Sequence, residues 1–189
     1  GIKRFRIMIL AIHQPNFFPW WPYFEKIEQV DVFVFLTHCQ FEKNGYQNRF
    51  NYKDNWHTMS VKKGMKPITD KEYLNPEKDW DRIKSNLPEH KDFLDTFDHF
   101  ISEDLMLTNL KIINNMVKLF AIDTELTIDY ETDLRSTERL VDICCAHGAD
   151  KYLAGIGSKE YLNESLFEDR GIEVIYQDVN EPVHTLETL

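Results

Sequence analysis

Residues 9–41, "ILAIHQPNFFPWWPYFEKIEQVDVFVFLTHCQF", contain the clearest indication of the fold class. Two apolar runs, at about Ile7–Ile12 and Val32–Leu36, have the length and composition of buried strands. Between them, the prolines and tryptophans of residues 19–22 predict a helix that runs to about Gln29, because proline is tolerated in a first helical turn. A strand, a helix and a strand within about 30 residues form a βαβ unit, which predicts a parallel sheet.

The rest of the chain continues this alternation after a polar and helical middle. Residues 37–56 are polar and predict a loop, and "HTMSV" at residues 57–61 is a candidate third strand. Two amphipathic segments separated at Pro88 predict helices at residues 77–87 and 90–101. The longest helix is predicted at about Leu105–Phe120, with an apolar stripe of Met106, Leu110, Ile113, Val117 and Phe120.

In the C-terminal third the alternation of strands and helices resumes. Strands are expected at Glu125–Tyr130, Lys151–Ala154 and Ile172–Tyr176, with a helix at Thr137–His147 between the first two and a glycine loop and a short helix between the last two. Ser136 is the expected N-cap of that helix, and Gly148 is expected to end it in the left-handed conformation. The sequence therefore predicts an α/β fold: a mostly parallel Rossmann-like sheet flanked by helices, with a helical insertion at about residues 77–120. With no repeat or Gly/Ser linker, residues 1–189 are expected to form a single domain.

Composition narrows the classes of protein. Of the 189 residues, 42% are hydrophobic and 29% are charged, which is typical of a globular protein. A formal net charge of −10 argues against nonspecific binding to nucleic acid or to anionic membranes. No apolar run approaches the roughly 18 residues that cross a bilayer, so no membrane insertion is expected. The adjacent Cys144 and Cys145 make a poor disulfide framework, and "RFRIMILAI" lacks the features of a signal peptide, so a cytoplasmic location is expected.

Polar residues follow the predicted strands at their carboxyl ends, where parallel α/β sheets bind ligands. His13 is the strongest catalytic candidate, because a neutral imidazole can act as a general acid or base or donate to a phosphate. The alternative is that His13 only hydrogen-bonds the turn at Pro15 and Asn16. If the first two strands are neighbours, His38 lies on the same rim, and it is the second catalytic candidate. The predicted substrate-binding residues beside them are Gln14, Asn16 and Gln40.

"NGYQNRF", residues 44–50, combines two amides and a guanidinium. Gln47 and Asn48 can donate and accept hydrogen bonds, and Arg49 offers a planar fork suited to phosphate or carboxylate. The preceding Asn44-Gly45 pair is a turn signal. Two interpretations of this cluster have equal weight: it binds substrate, or it forms a hairpin whose arginine pairs with a nearby acidic side chain.

"LAGIGSKEYL", residues 153–162, is a possible anion-binding loop, formed by Gly155, Gly157, Ser158 and Lys159. It matches neither a P-loop nor a full dinucleotide fingerprint, and a plain tight turn is the competing interpretation. Cys39 could be a thiolate nucleophile, but a small buried residue is the more ordinary role for such a cysteine. No set of residues has metal-ligand spacing, and the sequence leaves the cofactor open.

The segment at residues 17–24 has more aromatic residues than a short helix needs to bury. Some of them could wall a pocket and stack on a base or a sugar ring, while packing of the first helix on the sheet is the competing interpretation. They are Phe17, Phe18, Trp20, Trp21, Tyr23 and Phe24.

Residues 11–50 together with residues 140–177 resemble the WbqC-like proteins, a family associated with O-antigen and other surface polysaccharides. The resemblance implies functional roles for the His-Gln-Pro-Asn motif, for the Gln-Asn-Arg motif and for the glutamine that follows the second strand. Here these residues are His13, Gln14, Pro15, Asn16, Gln40, Gln47, Asn48 and Arg49. Thr37 and His38 stand where the family commonly has acidic residues, which puts any role for a carboxylate there in doubt. A more distant similarity links the His-containing strand end to the HIGH-type nucleotidylyltransferases, although the second histidine of that motif is missing.

Three functions are compatible with these observations. The leading hypothesis is a transferase of bacterial surface-polysaccharide biosynthesis that acts on a nucleotide-linked sugar or amino sugar; the expected small-molecule partner is a nucleotide sugar or a sugar phosphate. A nucleotidylyltransferase-like enzyme is the second. The third is a non-catalytic binding or scaffold protein of a glycan-assembly complex. The sequence leaves the oligomeric state open, and a small-molecule substrate is the expected partner.

Overall fold

The computed structural model describes residues 6–189 and confirms the α/β, Rossmann-like fold. The chain forms two compact units. The first comprises residues 6–13, Glu25–Leu36 and Asp123–Asn180, and the second comprises Gln14–Phe24, Thr37–Ile122 and Glu181–Leu189.

The first unit is built on a five-stranded sheet in which all neighbouring strands are parallel. The strands are β1 (Ile9–His13), β2 (Val32–Phe35), β5 (Glu125–Ile128), β6 (Lys151–Ala154) and β7 (Glu173–Tyr176). The strand order is β5-β2-β1-β6-β7, which is 3-2-1-4-5 when the parallel strands are counted along the chain. This is the order of the first five strands of a dinucleotide-binding Rossmann sheet.

The hydrophobic core of this unit lies between the sheet and two helices. Alternate strand residues such as Leu10, Val34 and Tyr152 belong to one buried cluster with Ile143 of α5 (Ser136–Ala146) and Phe167 of α6 (Glu164–Glu168). The alternation of strand side chains between the two sheet faces explains this pattern. Helix α1 (Trp21–Glu28) follows β1 and ends before β2.

The second unit contains a two-stranded hairpin and three helices. In the hairpin, β3 (Arg49–Tyr52) pairs with β4 (Asn55–Thr58) in antiparallel register. The helices are α2 (Pro76–Asn86), α3 (Lys91–Asp95) and α4 (Leu105–Leu119). They correspond to the three helices predicted for the middle of the sequence.

The prediction of a loop over residues 37–56 is wrong in its second half. Arg49–Tyr52 is a strand, and the predicted third strand at 57–61 begins earlier, at Asn55. The two residues that join the strands, Lys53 and Asp54, have φ values of 50° and 63°. Two positive φ values match a type I′ turn, which is usually made by Asn-Gly. The Lys-Asp pair lacks this sequence signature, so the sequence does not indicate the turn.

Two helix details also differ from the prediction. The buried face of α4 consists of Leu105, Thr108, Asn109, Ile112, Ile113, Met116 and Val117, whereas Met106 and Leu110 are only partly buried. Ser136 is not an N-cap, since α5 begins there with a φ of 51° and Arg135 precedes it without a side-chain cap. The left-handed conformation predicted for Gly148 is confirmed by its φ of 67°.

Aromatic side chains form the core of the second unit. Phe18 packs against Phe50, Trp80 and Phe97 with ring-centroid distances of 5.2–5.9 Å. His184 of the C-terminal segment stacks on Phe50 at 4.7 Å, and its Nε2 hydrogen-bonds the Phe18 carbonyl. These contacts explain why residues 17–24 are so aromatic: Phe17 and Phe18 fill this core before α1 begins.

Within residues 6–189, no helix is long and apolar enough to span a membrane.

Candidate functional site

The carboxyl edge of the five-stranded sheet has a point at which the chain connections change direction. β2 follows β1 along the chain and lies on one side of it, whereas β6 lies on the other side. In open parallel α/β sheets, ligands bind in the crevice at such a switch point. A ligand site is therefore expected among the residues that follow β1 and β6.

His13 is the last residue of β1 and is half-buried. It is paired in register with Phe35 of β2, and its carbonyl accepts a hydrogen bond from the Leu36 N–H at 2.9 Å. On the other side, β1 pairs with β6 through Ile9↔Lys151 and Leu10↔Tyr152. Continued toward the carboxyl ends, that register brings His13 level with Gly155.

Lys26 is the most unusual charged residue of this unit. It lies in α1 with only 4% of its surface exposed, and no described residue forms a hydrogen bond or an ion pair with its amine. A Cβ added to Gly155 would lie 3.9 Å from Lys26 Nζ, so the amine is next to the backbone that follows β6. Burial lowers the pKa of Lys26 to about 8.

The glycine loop after β6 is a single 3-10 turn at Ile156–Ser158. The Ser158 N–H and hydroxyl both donate to the Gly155 carbonyl, at 3.1 and 2.7 Å. Gly155 has a φ of −70°, so neither its backbone nor a neighbouring atom requires a glycine there. The missing side chain leaves open the space beside Lys26.

Two polar pairs lie near the ends of the outer strands. Asp129 follows β5 and forms a buried ion pair with Arg139 of α5, with an O–N distance of 2.6 Å. At the other side of the sheet, Tyr176 of β7 donates a hydrogen bond to Glu164, and Lys159 Nζ lies 5.5 Å from the Tyr176 ring centroid. Burial and the bond to Glu164 raise the pKa of Tyr176 to about 12.

The second unit brings two of the sequence motifs together. Asn109 Nδ2 donates to the Pro15 carbonyl at 2.8 Å and to the Gln47 carbonyl at 2.7 Å. The Tyr73 hydroxyl donates to Asn109 Oδ1 at 2.6 Å, and the Phe17 N–H donates to the Tyr46 carbonyl at 2.9 Å. The His-Gln-Pro-Asn and Gln-Asn-Arg segments are thus side by side through a buried polar network.

Two amide oxygens of these motifs are buried and accept no hydrogen bond from residues 6–189: Asn16 Oδ1 and Gln47 Oε1. Gly45 allows the Gln47 side chain to be where it is, because a Cβ at Gly45 would come within 2.9 Å of Gln47 Oε1. Buried acceptors of this kind usually bind an ordered water or a ligand donor. The neighbouring Asn48 Nδ2 donates to the Met59 carbonyl at 2.8 Å.

Arg49 hydrogen-bonds its own loop. Its Nε donates to the Gly45 carbonyl at 3.0 Å and its Nη2 to the Asn44 carbonyl at 2.5 Å. The guanidinium carbon also lies 3.8 Å from the ring centroid of Trp56.

The polar residues that follow β2 pair with a neighbouring segment. The Ile68 N–H donates to the Cys39 carbonyl at 2.9 Å, and the Thr69 N–H donates to the Thr37 carbonyl at 3.1 Å. His38 Nδ1 lies 3.2 Å from the Thr37 hydroxyl, and Gln40, which is exposed, forms a β-bridge with Pro67.

The sequence-based selection missed two residues that the structure singles out. Lys26 falls on the apolar stripe of α1, in line with Pro22 and Val30. A lysine on such a stripe indicates a buried charge and could have been recognised from the sequence. Asn109 likewise falls between Leu105 and Ile113 on the buried face of α4. In the described part of the chain, no group of three or more His, Cys, Asp or Glu side chains could hold a metal ion.

The sheet and its switch point define a Rossmann-like α/β protein with polar residues at the edge where such sheets bind small molecules. The chain belongs to the WbqC-like protein family, whose family model matches residues 14–186. It is 29% identical, over 188 residues, to Rv1507c, an uncharacterized protein of Mycobacterium tuberculosis; the match covers 89% of this chain and 81% of that protein. A Zn(II)-bound mutant variant of AdcAII from Streptococcus pneumoniae aligns with 96% of this chain and 95% of its own, at 11% identity and a TM-score of 0.23.

Proposed function

We propose that this WbqC-like protein is a cytoplasmic transferase of bacterial surface-polysaccharide biosynthesis that acts on a nucleotide-linked sugar or amino sugar. The phosphate of this substrate would bind at the carboxyl ends of β1 and β6, where Lys26 is its cationic partner. The association of the WbqC-like family with surface polysaccharides supports the choice of pathway, and the chemistry of Lys26 supports the choice of ligand.

The observation that carries the proposal is the unpartnered amine of Lys26. With a pKa of about 8, this amine is mostly protonated at neutral pH, although it is buried. An ammonium group without a counter-ion in a desolvated position is costly to the fold. An anionic ligand group beside Gly155 would supply the missing charge, and a phosphate at a Rossmann-type switch point is the most ordinary one.

Each neighbouring residue has a role in this reaction. The Lys26 ammonium would stabilise the negative charge that develops on the leaving phosphate as its bond to the sugar breaks. His13, as a general base, would accept the proton of the attacking acceptor hydroxyl. Gly155 would leave room for the phosphate, and Gly157, Ser158 and Lys159 would border it.

Turnover with a panel of nucleotide sugars tests the proposal. Purified protein is incubated with UDP-, GDP-, dTDP- and CMP-linked sugars and glycan acceptors, and release of the nucleotide is measured. We expect release with one donor class, lost in His13→Ala and Lys26→Met with folding retained. Nucleotide release that is unchanged in His13→Ala would remove this residue from the chemistry. Donor binding without turnover would instead indicate a binding protein of a glycan-assembly complex.

Nucleotidyl transfer is a second candidate, favoured by the 3-2-1-4-5 strand order and by a histidine at the end of β1. This candidate predicts that pyrophosphate is released from a nucleoside triphosphate when Mg²⁺ and a sugar phosphate are present. If a full panel of sugar phosphates yields no pyrophosphate, this candidate is wrong.

A further inference from the structure

A second surface with the chemistry of a ligand site lies on the hairpin of the second unit. Trp56 of β4 is 45% exposed, which is unusual for a large aromatic residue in the middle of a strand pair. Tyr46, which is also exposed, has its ring centroid 5.7 Å from that of Trp56. These two rings, inclined to each other by 45°, present adjoining apolar faces to solvent.

Arg49 fixes the position of this surface. Its guanidinium lies against the Trp56 ring and hydrogen-bonds the carbonyls of Asn44 and Gly45 in the loop that carries Tyr46. A planar guanidinium that stacks on an indole and bonds two carbonyls restricts the movement of both partners. The Trp56 ring is therefore held in place before any ligand arrives.

Two cavities adjoin Trp56. Their volumes are about 350 and 320 Å³, and Trp56, His57 and Asn86 line both of them. The first is also lined by Lys53 and Glu89. These volumes are at the lower end of the range of ligand pockets, roughly 300–1,000 Å³.

His57 gives a second, independent indication of a ligand. Its side chain is buried against Phe50, and its Nε2 has no hydrogen-bond partner among residues 6–189. A buried ring nitrogen without a partner is uncommon unless a water or a ligand hydroxyl reaches it. Burial and the neighbouring Arg82 lower the pKa of His57, so the ring is neutral at physiological pH and can accept a hydrogen bond.

We infer that Trp56, His57 and Asn86 form a binding site for a sugar residue of a glycan. A sugar ring has one apolar C–H face, which fits against a single exposed indole, and a rim of hydroxyl groups. The amide of Asn86 and the carboxylate of Glu89 can bond such hydroxyl groups. Tyr52 and Leu87 also line the first cavity, but most of the residues that line the two cavities are polar, which favours a hydroxyl-rich ligand over a nucleobase.

This inference assigns Arg49 a role as a positioning residue: it orients Trp56. All residues involved belong to the second unit, and none takes part in the proposed binding of phosphate at Lys26. The sugar site can therefore exist even if the protein does not catalyse the proposed transfer. Likewise, the transfer can occur even if the sugar site does not exist.

Titration followed by NMR tests the sugar site directly. The chain has four tryptophans, so the ¹⁵N-labelled protein gives few indole N–H signals, and Trp56→Phe assigns the signal of Trp56. The probes are the methyl glycosides of glucose, galactose, N-acetylglucosamine and N-acetylgalactosamine, with uridine as the competing aromatic ligand. We expect one glycoside to shift the Trp56 signal saturably, with a Kd on the order of 1 mM.

Three variants make the result specific. Trp56→Ala and Asn86→Ala should each weaken glycoside binding by about tenfold or more, and both residues are exposed enough for folding to be retained. Trp20→Ala is the matched control, because Trp20 is 44% exposed and lines neither cavity. Arg49→Lys should keep the charge but weaken binding and broaden the Trp56 signal.

Two outcomes would overturn the inference. One is that no glycoside moves the Trp56 signal, or that uridine alone does. The other is that the variants at Trp56 and Asn86 bind a glycoside as tightly as the wild type does, which would place the binding elsewhere on the protein.

Discussion

Replacement of Lys26 by methionine should stabilise the folded protein while it removes the phosphate site. Methionine has nearly the length of lysine and no charge, so it can occupy the same buried position in α1. Residues that bind a ligand are often suboptimal for stability, because the ligand supplies the interaction that the free protein lacks. A gain in stability combined with a loss of binding would distinguish a ligand-binding lysine from one that supports the fold.

The size of the gain follows from the pKa of Lys26. The difference between the ordinary lysine value of 10.5 and the folded value of about 8 corresponds to about 3 kcal/mol, at about 1.4 kcal/mol for each pH unit. Below pH 8 the amine is protonated in both the folded and the unfolded chain, so the folded state bears the full cost of burying the charge. The free energy of unfolding of Lys26→Met should therefore exceed that of the wild type by up to about 3 kcal/mol at pH 7.

The sign of the pH dependence is equally specific. Between pH 8 and pH 10.5, the folded chain has released the Lys26 proton, whereas the unfolded chain still holds it. The wild type then gains stability relative to Lys26→Met as the pH rises, and the difference between the two proteins shrinks by up to about 3 kcal/mol.

Urea unfolding at pH 7, 9 and 10 measures this difference. Lys111→Met is the matched control, because Lys111 lies in the middle of α4 and is exposed. We expect a change in the midpoint, with an unchanged slope against urea, for Lys26→Met only. If Lys26→Met is less stable than the wild type at pH 7, or if the difference does not depend on pH, then Lys26 is not a buried unpartnered ammonium and the argument for a phosphate site fails.

Four further substitutions test other parts of the structure. Gly155→Ala should fold normally but bind a phosphate ligand about tenfold more weakly in calorimetry, because its methyl group would lie 3.9 Å from Lys26 Nζ and occupy the space proposed for the phosphate. Unchanged affinity would contradict this. Asn109→Ala should lower the free energy of unfolding by about 3 kcal/mol in urea, since two buried carbonyls lose their donor; a loss below about 1 kcal/mol would count against the network. Arg49→Lys should cost about 2 kcal/mol by the same assay, and a neutral result would mean that its loop contacts are unimportant. Burial lowers the pKa of His184 to about 4, so between pH 6.5 and pH 4 the unfolded chain binds a proton that the folded chain does not. The wild type should therefore lose up to about 3 kcal/mol of stability as the pH falls through this range, and His184→Gln should lose less. Parallel pH profiles of the two proteins would refute this.

The sheet was predictable because its strands are short apolar runs with clear boundaries. β1, β2 and β6 were expected within about two residues of their observed ends, and the polar residues that follow β1 and β6 were recognised from the same pattern. The hairpin was less predictable. Its turn uses Lys53 and Asp54 where Asn-Gly is usual, and both strands are rich in polar residues.

The buried face of α4 shows a different limit. The helix has apolar residues around most of its circumference, so several stripes fit the sequence equally well, and only packing selects the one centred on Asn109 and Ile112. Lys26 was overlooked because a lysine near the end of an amphipathic helix normally reaches solvent. Its amine lies next to Gly155, which is far away in the sequence, so the sequence of α1 alone does not show the burial.

Isothermal titration calorimetry with nucleotide sugars, free nucleotides and sugar phosphates tests whether Lys26 belongs to a phosphate site. Wild type, Lys26→Met and the Lys111→Met control are titrated with the same panel at pH 7. We predict that one phosphate-bearing sugar ligand binds the wild type and the control equally, and that Lys26→Met fails to bind it although its fold is more stable. Equal affinity in Lys26→Met, or no binding of any ligand by the wild type, would contradict the assignment of this edge of the sheet as a phosphate site.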